Sequence, residues 1–451
     1  VTLSRPLRGQ KVVVLGLGKS GVAAARLLVR EGAQVVATDS RSEAELGPLA
    51  SELRGLGATL ELGGHRTESF TSADLIVKSP GIGPKHPQLA AARAHGVAII
   101  GEVELCAPWL HHPIVGITGT NGKSTTTALT GHLLEAAGQK VFVGGNLGTP
   151  VAEQVLSGRS VDATVLELSS YQVDDLIDFR CDVAMQLNVT PDHLERYGTI
   201  EDYAASKERL FSLVAPGGLG IANGENAWTR AMAERAGCRI VYFDHAAPAP
   251  GHIGEQHGVI MRGAERYTVG SRALKGAHNF ENAMAAIEAA RTLGAKPEAV
   301  QRGLDSYPGL PHRIEFIRSL GGVDYINDSK ATNVDSVEKS LAAFPGPLHL
   351  IMGGKGKGAS YAPLRPLFPG RVAQLYVIGE DADLIADELG DLVTVERSGT
   401  LAKAVESAHR HARTGQTVLL SPACASFDQF KNFEHRGLVF REAVEQLPER
   451  A

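Results

Sequence analysis

The stretch Pro113-Ile114-Val115-Gly116-Ile117-Thr118-Gly119-Thr120-Asn121-Gly122-Lys123-Ser124-Thr125 decides how this 451-residue chain is read. An apolar strand-like run enters a Gly-rich turn, and a helix-compatible run from Thr125 to Leu134 leaves it. Glycines in such a turn let backbone N–H groups converge on phosphate oxygens, and the helix N-terminus adds partial positive charge. In that arrangement Lys123 reaches the outer phosphates and Ser124 is placed to hold Mg²⁺. Ile117 stands where the general G-x-x-x-x-G-K-[ST] pattern has its first Gly. The plainer reading is a Gly-rich strand-to-helix turn with an exposed lysine.

Outward from this stretch, strands and helices alternate, which predicts α/β architecture with mostly parallel sheets. Upstream, Lys11-Val12-Val13-Val14-Leu15 enters Gly16-Leu17-Gly18-Lys19-Ser20-Gly21, and Gln34-Val35-Val36-Ala37-Thr38 ends in Asp39. Read alone, this βαβ unit is a dinucleotide fingerprint. Downstream, strands at Asp162–Glu167 and Asp182–Asn188 are expected, then a less regular stretch over 239–275. A helix opens at Ala277-His278-Asn279-Phe280-Glu281-Asn282. Pro/Gly-rich boundaries near 108–113 and 307–311 suggest three domains: 1–110, 111–309 and 310–451. The last has four strand candidates, each followed by a distinctive polar loop, and such loops should converge beyond the strands' carboxyl ends. They are Asn327-Asp328-Ser329-Lys330, Gly353-Gly354-Lys355-Gly356-Lys357, Gly379-Glu380 and Ser421-Pro422-Ala423-Cys424-Ala425-Ser426.

Composition narrows the function class. A 43% hydrophobic and 21% charged chain is ordinary globular material. A net charge of −5 without a polybasic tract makes no case for nucleic acid or an anionic membrane. No apolar run approaches a membrane span, and Val1-Thr2-Leu3-Ser4-Arg5-Pro6 lacks a signal-peptide pattern. The four cysteines have no metal or disulfide spacing, so a cytoplasmic location is expected.

Among single residues, Glu167 ends a strand in the P-loop sheet, where such folds hold Mg²⁺. His193 is a loop histidine or a ligand to a second metal ion. Lys207 reads as a solvated helical lysine unless a depressed pKa frees its amine. Asp328 and Lys330, with Thr332 beyond, suit a small zwitterionic or phosphorylated ligand, or simply an Asx-turn. Lys357 contacts an anion or sits in a glycine turn. Arg313 reaches a phosphate from a neighbouring domain or makes a structural ion pair.

Jointly, the motifs resemble the Mur ligases of peptidoglycan synthesis. Thr118–Ser124, Glu167-Leu168-Ser169-Ser170-Tyr171-Gln172 and Asn188-Val189-Thr190-Pro191-Asp192-His193 match the family broadly. Asn327-Asp328-Ser329-Lys330-Ala331-Thr332-Asn333 and the stretch from Ser421 to Phe430 match the branch that adds D-glutamate. The resemblance covers nearly the whole chain. It implies a UDP-binding Rossmann-like domain, a central ATPase and a C-terminal Rossmann-like domain for the amino acid. It also implies a reaction. ATP phosphorylates the carboxylate of UDP-N-acetylmuramoyl-L-alanine, and the amine of D-glutamate displaces phosphate from the acyl phosphate.

The resemblance assigns roles by position. Gly119, Thr120, Asn121, Gly122, Lys123, Ser124 and Thr125 cradle ATP, with Asn279 and Asn282 near the adenine. Arg313 and Asp328 reach ATP from the C-terminal domain, and His312 lies near the transferred phosphoryl group. Ser124 and Glu167 hold one Mg²⁺. His193 and a carbamylated Lys207 belong to the second of two ions. Ser20, Asp39, Ser40, Ser79, Asn146, Ser169 and Gln172 contact the UDP-sugar. Lys330, Thr332, Lys357, Ser426 and Phe433 match the D-glutamate pocket. A monomer is expected, and so is domain closure on ligands, because cradle and acceptor loops fall on different domains.

Three rivals remain at this level. A family member adding diaminopimelate or lysine would carry an Asp-Asn-Pro-Arg motif, which is absent. An NAD-dependent oxidoreductase using the N-terminal fingerprint leaves the P-loop and Glu167 without a task. A non-catalytic UDP-sugar binder would have no use for Lys123, Glu167, His193 and Lys207 together.

Overall fold

The computed structural model describes residues 7–449 apart from 246–248, 250, 275 and 357. Lys357, expected in the D-glutamate pocket, therefore lies outside the described residues. The chain divides into two compact units. One runs to Val269 and includes Ala277–Ser306; the other is Gly270–Gly276 with Tyr307 onward.

The first unit contains two sheets. Strands β1 (Lys11–Leu15), β2 (Gln34–Asp39), β3 (Thr59–Leu62), β4 (Leu75–Lys78) and β5 (Ala98–Gly101) form an all-parallel sheet in the order β3-β2-β1-β4-β5. Val12, Val13, Val14 and Leu15 are buried on both faces, which is why β1 reads as continuous hydrophobic sequence rather than as alternation. The helix Lys19–Arg30 packs against this sheet through its last fingerprint glycine. A Cβ at Gly21 would lie 1.9 Å from the Gly16 carbonyl oxygen.

The second sheet holds β6 (Ile114–Thr118), β7 (Val141–Gly145), β8 (Ala163–Glu167), β9 (Cys181–Gln186), β10 (Val214–Asn223), β11 (Arg239–Asp244), β12 (His252–Gln256), β13 (Val259–Arg262) and β14 (Glu265–Thr268). Its order is β14-β13-β12-β11-β10-β9-β6-β8-β7, parallel from β7 to β12, with β13 and β14 antiparallel at one edge. The stretch over 239–275, irregular by sequence, supplies β11 and this edge meander.

Two buried carboxylates and a buried lysine join the two sheets. Glu104 accepts from the backbone N–H groups of Ile177, Asp178 and Phe179 at 2.8–3.1 Å. Glu102 accepts from Ala152 N–H at 2.5 Å, and burial pushes its carboxyl up to about 7. Lys78, only 2% exposed, pairs with Asp175.

The second unit has one sheet: β15 (Glu315–Leu320), β16 (Val323–Asn327), β17 (Leu348–Gly353), β18 (Val372–Ile378), β19 (Thr394–Gly399) and β20 (Thr417–Leu420). The order is β15-β16-β20-β17-β18-β19, parallel except for β15. The four sequence-predicted strands are β16, β17, β18 and β20. The two outermost strands, β15 and β19, had no clear sequence signal because they are amphipathic and half exposed. No helix among the described residues is long and apolar enough to cross a membrane.

Candidate active site

In the first unit, β6 is buried between β8 and β9 and delivers the Gly-rich turn to the N-terminus of the helix Lys123–Ala136. Gly119 (φ +156°) and Gly122 (φ +84°) hold backbone conformations that side chains resist. A Cβ at Gly122 would also stand 2.4 Å from Asn282 Oδ1. Asn282 in turn accepts from the Thr126 hydroxyl at 3.0 Å and donates to Asn279 Oδ1 at 3.2 Å. The two asparagines are thus fixed beside the turn.

Asn188 lies just past the end of β9, and nothing in the local sequence marks its role. It accepts from Asn121 N–H at 2.8 Å and donates to Asn121 O at 3.2 Å, and its own carbonyl accepts from Thr120 N–H at 2.9 Å. This double clamp fixes the shape of the turn from the end of β9.

The cations converge on the same backbone. Lys123 Nζ donates to Gly119 O at 2.8 Å and Thr120 O at 2.9 Å. Lys207 Nζ donates to Gly119 O at 2.9 Å and to the Thr118 hydroxyl at 3.4 Å. The expectation of a solvated lysine is therefore corrected: Lys207 is 1% exposed on the helix Ile200–Ser212. Burial, reinforced by the charge of Lys123, holds its amine well below the usual lysine range.

Tyr203, one turn earlier, escaped the sequence reading. Its ring lies 4.6 Å from Lys207 Nζ and 6.0 Å from the His193 ring, and its hydroxyl accepts from Thr120. His193, at φ +53°, bonds the Tyr171 hydroxyl through Nδ1 at 2.9 Å. Tyr203 thus connects His193 to Lys207, a link that only its helical spacing from Lys207 could have hinted at.

Glu167 ends β8 as expected and is 3% exposed. Its Oε1 accepts from Asn146 Nδ2 at 2.6 Å, while Oε2 is buried with no hydrogen-bond partner. A buried carboxylate oxygen without a donor carries a desolvation cost that a cation offsets. With the buried Ser124 at the helix start, the donor set fits Mg²⁺, a hard ion that takes oxygen ligands.

The residues expected at a UDP-sugar are spread over both sheets of this unit. Asp39 Oδ2 accepts from Leu17 N–H at 2.7 Å, and Arg41 bonds both carboxylate oxygens. Burial pushes the Asp39 carboxyl up, but Arg41 and the Leu17 N–H outweigh it and bring it to about 2. The Ser79 hydroxyl donates to Gly16 O at 2.8 Å, closing the first Gly-rich turn. Ser20 lies in the first turn of its helix, and Ser40 is exposed. Asn146 is engaged by Glu167. Ser169 and Gln172 bond each other in a capping box at the helix Ser170–Asp174.

In the second unit, the strand-end loops gather as the parallel topology requires. Asp328, after β16, accepts from the Ser340 and Ser421 hydroxyls and from Ile314 N–H. Burial raises its carboxyl to about 6 against those hydrogen bonds and the charge of Arg313, which is half-buried. His312 (φ +63°) packs edge-on against Phe433, and its Nδ1 lies 3.1 Å from Asn327 Nδ2. Lys330 Nζ sits 5.8 Å from the centre of the Phe433 ring, and Lys330 N–H donates to His312 O. Ser426 is buried in the loop after β20, and Thr332 is half-buried beyond Lys330. Arg436, fully buried and unmentioned by sequence reading, donates to Ser329 and to the carbonyls of Cys424 and Ala425. It ties the loop after β16 to the loop after β20.

Three family models match this chain: the Mur ligase MurD-like N-terminal domain over residues 10–101, the Mur ligase middle domain over 117–290, and the Mur ligase glutamate ligase domain over 312–424. The chain belongs to the Mur ligase family. Its N-terminal fingerprint is therefore that of a Mur ligase, not of an NAD-dependent oxidoreductase. This Mur ligase is 52% identical to the UDP-N-acetylmuramoylalanine–D-glutamate ligase of Anaeromyxobacter dehalogenans, over 98% of each chain. It is 49% identical to the protein of the same name from Myxococcus xanthus, over 98% of this chain and 99% of that one. Its fold matches that of the UDP-N-acetylmuramate–alanine ligase MurC of Thermotoga maritima, with a TM-score of 0.58 at 19% identity over 97% and 99% of the two chains.

Proposed function

We propose that this Mur ligase joins D-glutamate to UDP-N-acetylmuramoyl-L-alanine in peptidoglycan precursor synthesis, with ATP as co-substrate. The observation that carries the acceptor assignment is the near-full-length identity of 49–52% to ligases of that name. The cradle carries the ATP assignment.

A carboxylate is a poor electrophile until one oxygen becomes a leaving group. A carboxylate oxygen of the substrate attacks the γ-phosphorus of ATP; the P–O bond to ADP breaks and an acyl phosphate forms. The amine of D-glutamate then attacks the acyl carbon, loses a proton, and the C–O bond to phosphate breaks. Lys123 and the turn N–H groups offset charge on the transferred phosphoryl group. Asn188 takes up the N–H groups of Thr120 and Asn121 and so fixes the shape of the turn, and the remaining turn N–H groups need little reorganisation during reaction.

Ser124 and Glu167 would hold one Mg²⁺, and His193 with Lys207 would serve a second. Bound there, such ions neutralise charge on phosphate oxygens. Lys207 is suited to this after carbamylation, in which its neutral amine adds CO₂ and releases a proton. The depressed basicity supplies that neutral amine. Asp39 and Ser79, with Ser20, Ser40, Asn146, Ser169 and Gln172, are assigned to the UDP-sugar. Arg313 and Asp328 are assigned to ATP, and Lys330, Thr332, Lys357, Ser426 and Phe433 to D-glutamate. A monomeric, cytoplasmic enzyme completes the reading.

The test is phosphate release with UDP-N-acetylmuramoyl-L-alanine against a panel of amino acids. D-Glutamate is expected to stimulate release well above L-glutamate and lysine. Equal rates for all three refute the acceptor assignment.

A further inference from the structure

A second cluster of ligating side chains lies in the first unit, away from the phosphate cradle. Glu225 follows β10, His245 follows β11, and Glu281 lies on the helix Ala277–Thr292. One ligand atom from each falls within 4.8 Å of the other two. The histidine is held in one tautomer. Its Nδ1 lies 2.8 Å from Glu255 Oε2 on β12, and an ionised carboxylate can only accept, so Nδ1 carries the hydrogen. Nε2 faces the other way. It is buried, has no hydrogen-bond partner, and stands 3.7 Å from Glu281 Oε1.

This arrangement leaves Nε2 without a hydrogen bond in either protonation state. A bare Nε2 lone pair directed at carboxylates is repelled by them. A protonated Nε2 would sit beyond hydrogen-bond range of its nearest acceptor. A divalent ion resolves both problems, accepting the lone pair and offsetting two glutamates. The surroundings support that geometry. Glu281 Oε2 accepts from Asn223 Nδ2 at 3.1 Å, and Glu225 Oε1 accepts from the His245 backbone N–H at 3.1 Å. Glu255 Oε1 is fixed by Gly258 N–H at 2.6 Å. A carboxylate that orients a histidine through its far nitrogen is the usual support behind a metal-bound imidazole.

We infer that Glu225, His245 Nε2 and Glu281 bind a divalent transition-metal ion of the Zn²⁺ class, with Glu255 as the group that orients the histidine. One imidazole nitrogen and two carboxylates suit Zn²⁺, Co²⁺ or Mn²⁺ better than Mg²⁺, which prefers all-oxygen ligation. The exposed Glu225 side leaves room for water in the remaining position. The site is separate from the cradle, although its third ligand neighbours Asn282 on the same helix. It stands independently of the ligation chemistry proposed above.

The test uses the full-length protein, stripped with chelator, dialysed, and titrated with Co²⁺ in the presence of excess Mg²⁺. Saturable uptake of one equivalent with visible d–d absorption is expected, displaced by Zn²⁺. His245→Ala and Glu281→Gln should each abolish the saturable band. Glu255→Gln should weaken Co²⁺ binding about 10-fold, and Glu167→Gln should leave it unchanged. Circular dichroism establishes that each variant is folded; if His245→Ala is not, Glu281→Gln and Glu255→Gln decide. No saturable binding, binding that persists in the folded variants, or binding lost with Glu167→Gln overturns the inference.

Discussion

Replacing Asp328 by Asn should make the second unit more stable at neutral pH while impairing the enzyme. Asp328 is fully enclosed, and burial lifts its carboxyl from an ordinary 3.8 to about 6. A raised folded-state pKa means that the folded protein binds the proton more tightly. The favourable contribution is complete below about pH 4 and is lost as pH rises through 6. That rise in pKa corresponds to about 3 kcal/mol of destabilisation at pH 7.5, shrinking to about 1 kcal/mol at pH 4.5. Asn removes the charge and keeps the geometry. Its Oδ1 accepts from Ile314 N–H, and its Nδ2 faces the Ser340 and Ser421 hydroxyls, which can turn to accept. For a unit of this size, 3 kcal/mol is roughly 6–12 °C in Tm. Scanning calorimetry of both proteins at pH 7.5 and 4.5 measures this, and phosphate release at pH 7.5 should fall at least ~10-fold if the charge serves ATP. An Asp328→Asn variant no more stable than the parent at pH 7.5, or a gap that fails to narrow on acidification, refutes the reasoning.

Glu167→Gln should lower the rate of phosphate release by roughly 10²–10³ with Tm nearly unchanged, since the amide still accepts from Asn146 and its N–H₂ replaces an unpartnered oxygen; Mg²⁺ titration of the residual activity checks the role. Lys207→Ala should abolish turnover, and a short carboxylate added with bicarbonate should restore part of it; unchanged activity would remove Lys207 from the site. Lys78→Met leaves the mostly enclosed Asp175 unpaired, so a loss of about 3 kcal/mol is expected in urea unfolding. Adding Asp175→Leu should recover most of that, and a double variant as unstable as Lys78→Met would show that the pair is not the cause.

Where chemistry is carried by consecutive residues, the chain alone sufficed. The turn from Gly119 to Thr125 needs two glycines at positive φ, a lysine and a hydroxyl in a fixed order, and that order is visible as letters. Strands β1, β6, β17 and β20 were legible because strands buried on both faces are uninterrupted runs of apolar residues. Strands β15 and β19 were not, because half-exposed edge strands mix polar and apolar residues without a clean period.

Side-chain environment was a different matter. Lys207 sits in a helix that looks solvated, and only packing against Tyr203 and the Gly119 carbonyl shows it as a buried amine of low basicity. Asn188 clamps Asn121 across 67 positions of sequence, and Arg436 bonds Ser329 across 107. Nothing local marks either pairing. His245, just past the end of β11, and Glu281, in the first turns of the helix Ala277–Thr292, come within 3.7 Å of each other. Sequence by itself determined the Gly-rich strand-to-helix turn and the α/β class, since both depend on short-range pattern and backbone conformation. Tertiary structure alone decided which charges are buried, which carboxylate oxygen lacks a donor, and which nitrogen faces two acids, because desolvation and hydrogen-bond partners depend on neighbours brought in from distant parts of the chain.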